Sequence, residues 1–179
     1  MAESVLLPAG FSTGEAGFVL ASLLPLGSLV ILEGPTGIGK TEFVRGFARK
    51  LGVREPVTSP TFVTLQEYEG PDGGLFHGDL DRLPEGGGDD LVEALLGSRE
   101  RNWSLIEWGG KLSPSLWPLF HLVIGIRFSW ENEEARLLTV RWLAGENRVG
   151  EGESLVSLFL ERLVGGTGPG VGRGESWNL

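Results

Sequence analysis

The stretch Gly34-Pro35-Thr36-Gly37-Ile38-Gly39-Lys40-Thr41 constrains this chain more than any other, because of what stands on either side of it. Before it runs Ser-Leu-Val-Ile-Leu-Glu (28–33), a short apolar run of the kind that is buried on both faces in a parallel sheet. After it, residues 39–52 put Phe43, Val44, Phe47, Ala48 and Leu51 on one helical face, with Glu42, Arg45, Arg49 and Lys50 on the other. Gly52 is placed to close that helix. The glycine bend between strand and helix fills the pattern G-x-x-x-x-G-K-S/T of a P-loop (Walker A motif) completely. The spelling follows from phosphate chemistry. Backbone N–H groups must curl around phosphate oxygens, and a Cβ would obstruct them, so glycine stands at the bends. The helix then turns its positive dipole end toward the anion. Lys40 reaches the β and γ oxygens, and Thr41 offers its hydroxyl to Mg²⁺. Gly37, Ile38, Gly39, Lys40 and Thr41 are the expected nucleotide-binding residues.

The remaining periodicities set the fold. Residues 14–24 carry Ala16, Val19, Leu20, Leu23 and Leu24 at helical spacing, stopped by Pro25 and Gly27. Strand-like runs at 61–70 and 74–79 flank a Pro-Asp-Gly-Gly turn. Residues 90–98 read as a short helix, 103–108 as a second buried strand, and 119–130 and 135–144 as two late strands. Residues 153–163 form an amphipathic helix. This alternation predicts an α/β fold: a three-layer, P-loop NTPase-like domain with a mostly parallel central sheet and a late antiparallel hairpin. The domain is expected to span 1–164, with the glycine-rich residues 165–179 as a flexible tail.

Composition removes several function classes. Without cysteine there are no disulfides or thiolate metal sites, and two histidines make a His-based zinc site a poor expectation. The net charge of −9 and the presence of only three lysines argue against a protein that grips nucleic acid unaided. Neither a signal peptide nor a membrane-spanning run is evident, so a cytoplasmic location is expected.

Phosphoryl chemistry needs more than a cradle. It needs an acid for the metal and a group to handle water. The strand 103–108 delivers Glu107 at its carboxyl end, where ligands of parallel α/β sheets bind, so Thr41 and Glu107 are the expected metal ligands. Val57-Thr58-Ser59-Pro60-Thr61-Phe62 lies where such proteins place a loop that closes over the γ-phosphate. Its Thr61 is placed to complete the magnesium shell and sense the third phosphate. His77-Gly78-Asp79-Leu80-Asp81-Arg82 follows a strand: Asp79 is placed to act on water, directly or through the metal, and Arg82 to steady transferring charge. Trp108 either stacks on a base or partner or packs in the core. The expected catalytic set is Lys40, Glu107, Asp79 and Thr61.

Taken in order, the segments 32–52, 57–62, 76–83 and 106–108 resemble the TsaE family, the small ATPase of bacterial threonylcarbamoyladenosine biosynthesis on tRNA. Arg45-Gly46, Leu51-Gly52, Ser59 to Phe62, His77, Asp79, Arg82, Glu107 and Trp108 stand at the family's motif positions, and the likeness runs over about residues 10–142. Asp81 replaces the usual tyrosine of that motif. The resemblance implies ATP and Mg²⁺ as ligands and weak ATP hydrolysis stimulated by partners. It implies action with the TsaB and TsaD proteins, tRNA being reached only through that complex, and no membrane. It also implies that Thr13, ahead of the first helix, lies near the nucleotide. Two other classes remain open on the residues alone: a small-molecule P-loop kinase with Asp79 as base, and a nucleotide-gated binding module without productive hydrolysis.

Overall fold

The computed structural model describes residues 2–7, 11–60, 64–133, 135–145, 149–164 and 172–173. Its centre is β2 (Ser28–Glu33), which pairs in parallel with β5 (Asn102–Glu107) on one side and β6 (Leu122–Trp130) on the other. Every residue of β2 but Glu33 is buried. Because successive side chains point to opposite faces, the strand feeds two cores. Val30 and Leu32 join Leu20, Phe43, Phe47 and Phe159 on one face. Leu29 and Ile31 join Leu80, Leu95, Leu112 and Phe120 on the other. Each such side chain removed from water contributes roughly 1.5–3 kcal/mol, which is what sandwiches the sheet between layers.

Among the described residues the sheet has eight strands, in the order β3-β4-β5-β2-β6-β7-β1-β8. β4 (Gly74–Asp79), β5, β2 and β6 run parallel. β3 (Leu65–Tyr68) is antiparallel to β4 across the Pro-Asp-Gly-Gly turn, as that turn predicts. β7 (Arg136–Ala144) is antiparallel to β6, the expected late hairpin. Parallel pairing is thus confined to the centre, and antiparallel strands extend both sides. β1 (Ala2–Leu7), which the sequence reading did not foresee, pairs antiparallel with β7 and sends Val5 and Leu7 into the core. Within the stretch expected as a flexible tail, β8 (Gly172–Arg173) is a two-residue strand on β1; the rest of that stretch lies outside the described residues.

The helices are α1 (Thr13–Ala21), α2 (Lys40–Lys50), α3 (Val92–Gly97) and α4 (Val149–Val164), the last starting earlier than its apolar spacing suggests. Ser12 and Glu15 form a reciprocal capping box at the start of α1. α2 ends as expected: Gly52 takes φ +73°, its N–H donates to Arg49 O, and the Val53 N–H donates to Ala48 O. α1 and α2 cross in direct backbone contact. A Cβ on Gly46 would lie 1.6 Å from the Gly14 carbonyl oxygen, and one on Gly17 would lie 2.0 Å from that of Phe43. That crossing seats the start of α1 against the glycine bend.

Candidate functional site

The parallel strands bring their carboxyl ends to one edge. Asp79 closes β4 opposite Glu107 of β5, and Glu107 stands opposite Leu32 of β2, two residues before the glycine bend. The bend is shaped by positive φ at Gly34 (137°), Gly37 (82°) and Gly39 (113°). Space accounts for two of these glycines. A Cβ on Gly34 would come within 2.6 Å of Phe128 O, and one on Gly39 within 2.6 Å of Thr13 Oγ1. At Gly37 a Cβ would meet nothing, because that part of the loop faces an open cavity of about 390 Å³. Lys40, Thr41, Asp79, Asp81, Glu107 and Trp108 all line it.

The loop is braced from outside. Thr13 Oγ1 donates to Gly39 O at 2.9 Å, and Arg136 Nε donates to Ile38 O at 2.9 Å. Ile38 itself points into the core and is fully buried, so its part in the loop is played by its backbone. Lys40 is only 4% exposed. Its ammonium donates to Gly34 O (2.6 Å) and Pro35 O (3.1 Å) and lies 4.6 Å from the centre of the Trp108 ring. Burial pulls the Lys40 pKa below the ordinary lysine value, while Glu107, Asp79, Glu33 and Asp81 pull it back up. A cation held this way is desolvated and already aimed along the loop.

Thr41 Oγ1 donates to Glu107 Oε1 at 2.7 Å. The same oxygen lies 3.0 Å from Nε2 of the fully buried His77, whose Nδ1 has no hydrogen-bond partner among the described residues. Glu107 is 4% exposed, so it is a strand-end acid kept from bulk water. Directly after it Trp108 adopts φ +56°, a left-handed conformation that costs a non-glycine residue roughly 1–3 kcal/mol. The Trp108 N–H donates to Leu32 O and its carbonyl accepts from the Lys111 N–H, which fixes the ring beside Lys40.

Asp79 is held from two sides: Ser59 Oγ donates to its Oδ2 (3.3 Å) and the Asp81 N–H to its Oδ1 (3.0 Å). Arg45 Nε ties Val57 O to α2 at 2.9 Å, anchoring the start of the hydroxyl-rich segment. Thr61 lies outside the described residues. Arg82 is exposed and does not line the cavity. The structure therefore gathers Thr13, Gly37, Ile38, Gly39, Lys40, Thr41, Asp79 and Glu107 around one cavity or its loop. Sequence reasoning passed over Arg136 and Lys111. Both act on backbone carbonyls, and no residue pattern marks such a target.

The donors suit a hard cation. A hydroxyl and a carboxylate 2.7 Å apart on the cavity wall are oxygen ligands of the type Mg²⁺ takes. Among the described residues no group of three or more His, Cys, Asp or Glu could hold a metal by itself. Among those residues, too, no helix is long and apolar enough to cross a membrane.

Comparison with known proteins agrees with the motif order. Residues 9–138 match the family described as threonylcarbamoyl adenosine biosynthesis protein TsaE. A tRNA threonylcarbamoyladenosine biosynthesis protein TsaE from Streptomyces coelicolor is 38% identical over 135 residues, covering 72% of this chain and 89% of that protein. The Treponema pallidum protein of that name is 37% identical over 119 residues, 64% of this chain and 84% of its own length. The Synechocystis protein reaches 43% identity over 77 residues, 43% of this chain and about half (49%) of that relative. The crystal structure of Bacillus subtilis YdiB superposes with a TM-score of 0.66 at 23% identity, over 90% of this chain and 96% of that one, a likeness of fold. The chain belongs to the TsaE family.

Proposed function

We propose that this protein binds and slowly hydrolyses ATP with Mg²⁺, as a subunit required for forming threonylcarbamoyladenosine in tRNA together with the TsaB and TsaD proteins. The observation that carries this reading is the Thr41–Glu107 contact of 2.7 Å beside the glycine bend. It puts two hard oxygen donors and a desolvated lysine on one cavity wall. In this reading the N–H groups of Gly37 to Thr41 receive the phosphates, and Lys40 leaves the Gly34 and Pro35 carbonyls for the β and γ oxygens. Thr41 and Glu107 would hold Mg²⁺, which when bound would neutralise charge on the phosphates. His77 keeps the Glu107 carboxylate turned toward Thr41. Asp79, with Ser59 and the Asp81 N–H fixing its oxygens, is the group placed to orient water. Thr61 acts near the γ-phosphate. The net charge of −9 accords with a protein that meets tRNA through its partners.

The kinase alternative draws little support. Arg99 and Arg101 precede β5, at the end of the sheet away from Asp79 and Glu107, where they cannot serve as a lid over the cavity.

Phosphate release from Mg-ATP, with and without TsaB and TsaD, tests the proposal. Slow release that the partners accelerate is expected. Glu107→Gln should lower the accelerated rate by about 10²-fold or more, and Lys40→Ala should lose nucleotide binding. No acceleration, with phosphate appearing on a metabolite, would overturn it.

A further inference from the structure

Lys111 lies in the short turn after Trp108, and its ammonium is spent on the loop that follows Asp79. Nζ donates to three backbone carbonyls: Leu80 O (3.0 Å), Asp81 O (2.5 Å) and Leu83 O (2.8 Å). The turn that carries it is pinned in return. The Lys111 N–H donates to Trp108 O, and its own carbonyl accepts the Gly86 N–H at 2.7 Å. Carbonyl dipoles aimed at one point repel each other, and they stay so only with positive charge at the focus. An ammonium with three protons and no acceptor fits that focus. Proteins hold bare monovalent cations by the same means, with converging backbone carbonyls in place of hydration water.

The cage bears on the cavity through one residue. The Asp81 N–H donates to Asp79 Oδ1, while the Asp81 carbonyl accepts from Lys111. Asp81 is thus fixed at both ends, and the direction of the Asp79 carboxylate depends on where Lys111 holds the loop.

We propose that Lys111 is a positioning residue whose ammonium serves as a tethered monovalent cation: it closes the carbonyls of Leu80, Asp81 and Leu83 into a cage, fixes Asp79 at the cavity, and on truncation leaves a binding site for K⁺ or NH₄⁺. These two ions match an alkylammonium head in charge and approximate size; Na⁺ is smaller and tetramethylammonium too large. The effect on catalysis rests on the ATPase reading; the cage does not.

The test uses full-length wild type, Lys111→Ala and Lys111→Met in chloride salts of K⁺, NH₄⁺, Na⁺ and tetramethylammonium at one ionic strength. Thermal melting reads the cage. Lys111→Ala should melt at least about 2 °C higher in K⁺ or NH₄⁺ than in tetramethylammonium. Wild type should not, because its own ammonium is present. Nor should Lys111→Met, whose side chain fills the space without charge. Phosphate release from Mg-ATP reads the positioning. In tetramethylammonium, Lys111→Ala should lose about 10–100-fold in kcat with KM little changed, and K⁺ should restore most of it while leaving Lys111→Met impaired. Equal melting of Lys111→Ala in all four salts, or its failure to fold in any of them while Lys111→Met folds, overturns the cage. Cation-dependent melting with cation-independent kcat overturns the positioning role. If the wild type releases no phosphate even with its partners, the ATPase reading fails, and melting still decides the cage.

Discussion

Glu33 ends β2 one residue before the glycine bend and accepts the Gly110 N–H at 2.7 Å. Burial raises its carboxyl pKa above the ordinary value of 4.5, while the Gly110 hydrogen bond, Arg127, Lys40 and Lys111 pull the other way. A carboxyl with a higher pKa in the folded than in the unfolded state weakens the fold when ionised. That penalty is complete above the folded pKa, shrinks as pH falls through it, and is gone below the unfolded value. Glu33→Gln keeps an acceptor for Gly110 and removes the charge. Urea titrations should find the variant more stable than wild type at pH 8, with the gap closing toward pH ~4. A gap that ignores pH would mean that ionisation is not the source. The same scale explains what could be read in advance. That Lys40, Thr41 and Glu107 meet at one cavity was legible because the glycine-bend motif and the carboxyl end of a buried strand fix where each lies. Lys111 and Arg136 were not legible, because their acceptors are the main-chain carbonyls of Leu80, Asp81, Leu83 and Ile38, which no residue type announces.

Between elements, the contact of α1 with α2 matters most for the site. Thr13 at the start of α1 donates to Gly39, and Gly39 directly precedes Lys40. The helices touch at Gly14 and Gly46, so any side chain at 46 must part them. Gly46→Ala should cost about 3 kcal/mol or more by urea denaturation and should weaken nucleotide binding as Thr13 is drawn off Gly39. A variant as stable as wild type would show that the helices have room to separate. The central elements were legible for a related reason. β2 and β5 are buried along nearly their whole length because layers cover them on both faces, and the apolar cores Leu29–Leu32 and Leu105–Ile106 mark that burial in the sequence. β1 was missed because only six residues carry it and its partner stands more than a hundred positions away.

In the molecule as a whole, the sheet joins residues 2–7 to 136–141, and Arg136 at that junction braces the glycine bend. Deleting residues 1–7 removes Val5 and Leu7 from the core, at about 3–6 kcal/mol for two such side chains. The truncated protein should unfold at correspondingly lower urea and bind ATP more weakly than a Val5→Ala variant does; full retention of both properties would show β1 to be dispensable. The register also bears on synthesis. Ala2–Leu7 leave the ribosome long before their partner exists, and at about 5–20 residues per second the wait is on the order of ten seconds. Until β7 emerges, the leading segment has no neighbour and Ile38 lacks its guanidinium. A translation product cut short ahead of that point would carry every motif letter of the glycine bend and still lack the Arg136 brace on Ile38.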